Sequence, residues 1–330
     1  MRKILFYNLL IVLVALTGCQ KDLDLYVPEP SNPVDTWYTT VTNAMPVGEL
    51  KTNLLLPVYK DSFDLDNTTV SIGTSSGLQV GFDPGAIATS SNVPVTGKIY
   101  IETHLLKKKG DMIRMGTPTT SNGRLLVSGG ELYIRLKQNG NDLQILQQSQ
   151  QTNGAHYSIS YSDPQPSALM KLFNGDATNP VVFNWLPDLD TSNRINAQSG
   201  ALAYMITTNQ LNWINCDQFY DTTGIPRTIV SAALPANFTN ANSIAFTVFN
   251  DMNSVVGMYG NATSRKFSSG KIPADKQITV VVISKQGNDY YLGHQQALTV
   301  GSSGTIGSQD ITVTPVISSL DAIKAYLDTL

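Results

Sequence analysis

The chain has 330 residues, of which 42% are hydrophobic and 14% charged, and a formal net charge of −3 at neutral pH. That length supports one or two well-formed cores. The mild acidity and the lack of a long basic stripe argue against nucleic acid as a partner.

The N-terminus carries a targeting pattern. Arg2 and Lys3 precede an apolar run over residues 4–16, broken by Tyr7 and Asn8. The run is shorter than the roughly 20 residues that span a bilayer. Leu16-Thr17-Gly18-Cys19 follows and resembles the lipobox of bacterial lipoproteins. The resemblance implies that residues 1–18 are a signal peptide cleaved after Gly18, with diacylglycerol thioether-linked to Cys19 and acylation of its new amine. The membrane is then a partner through the anchor, and several acyl chains give stable attachment. Gln20-Lys21-Asp22, with Asp24 close behind, is similar to the signal that Bacteroidota use to send lipoproteins to the outer face of the outer membrane. Removal of Arg2 and Lys3 lowers the basic count from 22 to 20 against 25 acids, a net charge of −5. Cys216 is then the one remaining thiol, so no intramolecular disulfide forms, and an isolated Cys is expected as a small buried hydrophobe.

Residues 19–45, with Pro28, Pro30 and Pro33, are expected to form an extended tether. Within it Trp37, Tyr38 and Val41 would begin a strand or dock on the first domain. Residues 46–162 carry strand and turn signals. Alternation runs through 69–72, 78–82, 98–105 and 132–136, with Ile99, Ile101, Thr103 and Leu105 on one face. Asn139-Gly140 predicts a two-residue hairpin, since both turn positions need positive φ. Asn122-Gly123 marks another turn. No amphipathic helix is expected over 50–160, and Lys107-Lys108-Lys109 is assigned to a loop or protected edge. The Pro- and Asx-rich stretch 163–200 predicts a domain boundary with a helical turn at 168–173. Strands resume at 201–207, 228–232, 243–249, 278–284, 290–293 and 311–313. Ser318 or Ser319 then caps a C-terminal helix with the stripe Leu320, Ile323, Leu327 and Leu330, expected to pack on the second sheet.

Gly81-Phe82-Asp83-Pro84-Gly85-Ala86, followed by Val95-Thr96-Gly97-Lys98-Ile99, resembles the start of ZU5-like β-sandwich domains. The block running from Asp111-Met112-Ile113 through Pro118–Gly123 to Ser128-Gly129-Gly130 is similar to a pattern in uncharacterised Bacteroidota surface lipoproteins. Leu211-Asn212-Trp213-Ile214-Asn215-Cys216-Asp217 is similar to a segment that accompanies it. These stretches cover about half of the chain. The resemblance implies a β-sandwich at residues 46–162 and a surface location, but no established reaction. The expected fold is mainly β, with two β-sandwich-like domains, the second at 163–330, and a short C-terminal helix.

No catalytic, cofactor-binding or metal residue is assigned. Gly73-Thr74-Ser75-Ser76-Gly77 matches the nucleophile-elbow pattern, but a strand follows where that motif needs a helix. His104, His156 and His294 lack ligand-spaced partners, and His104 is expected on a solvent face. Asp188, Asp190 and Asn193, like Asp64, Asp66 and Asn67, gather oxygens that Asx turns explain without a metal, with calcium at Asp188 and Asp190 as the alternative. Trp185, Trp213, Phe219 and Tyr220 are sugar-stacking candidates, with burial favoured for Trp213 and Phe219. Asp221-Thr222-Thr223 resembles the Bacteroidota O-glycosylation signal. The expected function is a non-enzymatic structural, adhesive or binding role at the cell surface. The alternatives are a glycan-binding accessory of a polysaccharide-uptake system and a pilus-like subunit; the partner would be a glycan or another surface protein.

Overall fold

The computed structural model describes residues 35–146, 156–176, 178, 182–301 and 308–330. The expected signal peptide, Cys19 and Gln20-Lys21-Asp22 lie outside the described residues. In chain order the first elements are α1 (Pro46–Leu54), β1 (Tyr59–Leu65), β2 (Val70–Gly73), β3 (Gln79–Phe82), β4 (Ile87–Thr89) and β5 (Gly97–Leu106). There follow α2 (Lys109–Met115), β6 (Thr120–Ser121), β7 (Arg124–Gln138), β8 (Asn141–Ile145), β9 (Tyr157–Ser162), β10 (Lys171–Asp176), β11 (Asn184–Pro187), β12 (Arg194–Gln198), β13 (Ala203–Thr208) and β14 (Asn212–Phe219). The last are β15 (Arg227–Ala233), β16 (Ser243–Phe249), β17 (Val255–Asn261), β18 (Lys266–Pro273), β19 (Gln277–Gln286), β20 (Asp289–Thr299), β21 (Ser308–Thr312), β22 (Val316–Ser318) and α3 (Leu320–Leu327).

The first region is a two-sheet sandwich. One sheet runs β1-β5-β7-β14-β10-β11, and the other runs β12-β13-β9-β3-β2. Alternation along each strand sends Ile99, Ile134 and Ile214 inward from one sheet and Phe82, Ile159 and Ile206 from the other. Each such side chain contributes about 1.5–3 kcal/mol of burial free energy. The hairpin from β7 to β8 closes through Asn139 (φ 52°) and Gly140 (φ 81°), with Gln138 opposite Asn141.

The second region is one sheet folded over on itself, in the order β21-β15-β18-β17-β16-β19-β20-β22. Strand β17 makes the corner. It pairs with β16 through Val255–Met258 and with β18 through Tyr259–Asn261. The two halves face each other across Val230 and Phe267 on one side and Phe249, Val280 and Val282 on the other. Strand β16 is buried at every position. Its other face, with Val281 and Ile283 of β19, packs on Val47, Leu50 and Leu54 of α1, Met112 of α2, and Ile323 and Leu327 of α3. The Ser319 side chain caps α3 by accepting a hydrogen bond from the Ala322 N–H at 3.1 Å.

The mainly β architecture and the terminal helix match the sequence reading; four details differ. Helices α1 and α2 stand where only strands and loops were expected, and both are too short for a helical period to emerge. Gly110 in α2 is needed because a Cβ there would stand 1.9 Å from the Leu327 carbonyl oxygen. Trp37 and Tyr38 dock on the second sheet rather than the first domain. Trp37 packs on Phe267 at 5.2 Å, and the Tyr38 backbone exchanges two hydrogen bonds with Asn240. The proposed boundary at 163 falls inside the first sandwich, because β14 pairs with β7 and β13 with β9. The Pro-rich residues there turn the chain between strands of one body. The expected helical turn at 168–173 shrinks to a single turn closed by the Met170 N–H donating to the Ser167 carbonyl at 3.4 Å, since β10 begins at Lys171.

Candidate functional site

The β17 corner leaves an opening. Past Met258 the strand leaves β16 for β18, so β16 loses its neighbour at Ser243 and Ile244. A groove of about 400 Å³ occupies the gap, within the ~300–1,000 Å³ usual for small-ligand sites. Its walls include Val41, Val47, Ile244, Phe246 and Met258. Gly257 keeps the floor low, because a Cβ there would stand 3.2 Å from the Tyr259 hydroxyl.

Besides the exposed Thr39 and Thr40, two polar side chains in this groove lack partners among the described residues. Lys51 lies one helical turn after Val47, so both meet the groove from α1. Among the described residues its ammonium makes no ion pair or hydrogen bond. Burial lowers its pKa. The neighbouring Glu49 is engaged with Lys285 at 3.0 Å. Tyr259 is 39% exposed, its hydroxyl has no partner among the described residues, and partial burial raises its pKa. The described lining contains no Asp or Glu. The groove therefore offers apolar walls, one cation and the Tyr259 hydroxyl, beside the exposed Thr39 and Thr40 hydroxyls.

A second polar cluster lies on the outer face of the first sandwich, where the second region covers it. Glu131 of β7 stands opposite Asn215 of β14, and Asp217 lies just past a bulge. All three are fully buried. The Thr117 hydroxyl donates to Glu131 Oε2, and Asn215 Nδ2 donates to Asp217 Oδ2 at 2.7 Å. Glu131 Oε1 and Asp217 Oδ1 have no partner among the described residues. Burial, reinforced by Asp217, pushes the Glu131 carboxyl well above its usual range. Burial likewise pushes Asp217 up to about 7, with hydrogen bonds from Ser128 and Asn215 opposing. Burial of this kind favours the neutral form of both carboxyls and a structural role.

The same face carries an aromatic row. His104, Tyr133 and Trp213 stand side by side on β5, β7 and β14. Tyr133 lies 5.1 Å from Trp213, which also meets Phe183 at 6.0 Å and Trp185 at 6.4 Å. His104 corrects the sequence reading. It does point away from the first core, but that face is covered, so it is buried beside Trp213 and its pKa is lowered by burial. Trp185 is also fully buried, whereas Trp213, Phe219 and Tyr220 are half-buried. Arg124 stacks on Phe219 at 3.6 Å.

The remaining sequence candidates stay apart. Ser75 donates its hydroxyl to Asp61 at 2.6 Å within the turn from β2 to β3, with no helix following. His156 meets the Ser192 hydroxyl at 2.9 Å, and His294 stacks on Tyr326 at 4.7 Å. The Asp188 and Asp190 oxygens accept from the loop's own donors. These are the Asp190 and Ser192 amides, the Ser192 hydroxyl, and the Asn193 and Asn209 side chains. That pattern is an Asx-turn network. Asp66 accepts from the Thr68 amide and hydroxyl in the same way. Cys216 is fully buried in the first core, and burial raises its thiol pKa. Asp221-Thr222-Thr223 forms an Asx turn, with the Thr223 amide donating to Asp221 at 2.9 Å.

Sequence reasoning missed the groove, because Lys51 and Tyr259 belong to distant segments and neither sits in a motif. No protein-family model matches the chain, and no curated protein matches it.

Proposed function

We propose that the protein is a lipid-anchored cell-surface protein, held in the outer membrane through Cys19 and facing the exterior, whose folded body binds a partner without catalysis. The order of charge, apolar run and Leu16-Thr17-Gly18-Cys19 supports the anchor. Among structural, adhesive and binding roles, the groove at the β17 corner favours binding, since it presents an unpaired Lys51 between apolar walls. Cys19→Ala tests the anchor. The variant is expected to lose palmitate labelling and to leave the membrane fraction; normal labelling and unchanged retention would overturn the reading.

The glycan-accessory reading depends on an exposed row of rings around Trp185 and Tyr220. Trp185 is buried, which removes the centre of that row. The pilus reading needs a long removable edge strand. Of the described edge strands, β2, β11, β12, β21 and β22 have five residues or fewer, and only β1 reaches seven.

A further inference from the structure

We infer that the groove at the β17 corner takes a small amphipathic carboxylate, with its apolar body against Val47, Phe246 and Met258 and its carboxylate held by Lys51 and the Tyr259 hydroxyl. The inference deepens the binding reading and rests on it, but it is independent of the anchor at Cys19.

Charge sets the sign of the ligand. A half-buried ammonium without a counterion is costly, and the usual remedy is a paired acid. The protein applies that remedy or a carbonyl contact to several other partly buried lysines. Lys285 pairs with Glu49 and donates to the Gly287 carbonyl, and Lys109 donates to the Phe249 carbonyl at 2.7 Å. Lys51 has neither, although it lines this apolar groove. A ligand carboxylate supplies the missing charge and accepts the spare Tyr259 proton at the same time.

Shape and polarity set the rest. About 400 Å³ fits a small molecule rather than a folded partner. One cation suits a single negative charge, whereas a phosphate monoester would call for further donors. A sugar would need several fixed polar groups, yet Asn240 and Ser243 of the lining are already engaged, with Tyr38 and with Asn242 and Ser284. Thr39 and Thr40 are exposed rather than held in place by a partner among the described residues. The walls are aliphatic and aromatic, which matches an alkyl or aryl body.

The test uses the full chain carrying Cys19→Ala, so that no bound lipid competes, with decanoate as probe and 1-decanol and decylamine as controls. Calorimetry is expected to show saturable single-site binding of decanoate and weaker binding of decylamine. Lys51→Met keeps the apolar stem and removes the charge. It is expected to weaken decanoate binding about tenfold or more while leaving decanol unchanged. Tyr259→Phe is expected to weaken decanoate several-fold. Melting curves check that both variants are folded. If folded Lys51→Met binds decanoate as tightly as its parent, the carboxylate assignment is overturned while the binding role stands. If no probe saturates the parent, the groove is not the binding site. Neither result bears on palmitate labelling at Cys19, which tests the anchor separately.

Discussion

The two β regions bury different chemistry. In the first sandwich, one face of β7 is apolar and enters the core through Leu132, Ile134 and Leu136. Its other face changes along its length. At the open end Lys137 and Arg135 meet Glu102 and Asp142 in surface ion pairs. Tyr133 follows, and then Glu131 is fully buried beneath the second region. In the second region, β16 and β19 instead carry apolar side chains to both faces and hold no ionisable group in the core cluster between the halves. The difference teaches where each region is vulnerable. The first stores titratable groups at the junction, and the second opens a groove at the β17 corner.

Despite that contrast, the regions are tied together. Thr119 exchanges backbone and side-chain hydrogen bonds with Val255, and the Ser254 hydroxyl donates to the Leu126 carbonyl at 2.6 Å. The largest expected effect probes this coupling. Phe82→Ala in the first core and Phe249→Ala in the second should each cost about 3–5 kcal/mol. Calorimetry should show a single transition shifted downward in both variants. Two separable transitions, each moved by one substitution, would break the picture of coupled regions.

The next effect sharpens the electrostatic contrast. The folded state raises the Asp217 carboxyl to about 7, above its value in the unfolded chain. The unfolded chain therefore releases this proton first, and stability falls as pH rises from about 4 toward 7. The penalty from Asp217 is fully developed above pH 7 and reaches about 4 kcal/mol at most. Glu131 is shifted in the same direction and extends the decline upward. Urea midpoints of Asp217→Asn measured between pH 4 and 8 should show a shallower decline than the parent. An equally steep decline would place the pH dependence elsewhere.

The smallest effect concerns the helix that covers the apolar face of β16. Ser319→Ala removes the cap on α3 and should cost about 1 kcal/mol. Denaturant titration should show a lower midpoint with an unchanged slope. A changed slope would mean that α3 detaches rather than weakens.

Much of the fold was legible because its signals are local. Asn139-Gly140 specifies its hairpin through the positive φ of both residues, and Ser319 specifies the start of α3 through one hydrogen bond. The alternation at Ile99 and Ile101 marks the core face of β5. Legibility fails where a distant segment decides the environment. Over Thr103 and His104 that alternation ends in burial on both faces, because the second region covers what would otherwise face solvent. Nothing local marks Gly110, whose role is to let α2 approach the end of α3.

By itself, the sequence determined the β character, the tight turns, the terminal helix and the lipobox-like pattern ending at Cys19, because each depends on a few adjacent residues and their own backbone preferences. Only the tertiary structure decided that β14 completes the first sheet, that Glu131 and Asp217 lose their water, and that β17 changes partners. It alone opened a groove between Lys51 and Tyr259. Such outcomes depend on which distant strands pair and which faces they cover, and neither choice is written in local periodicity.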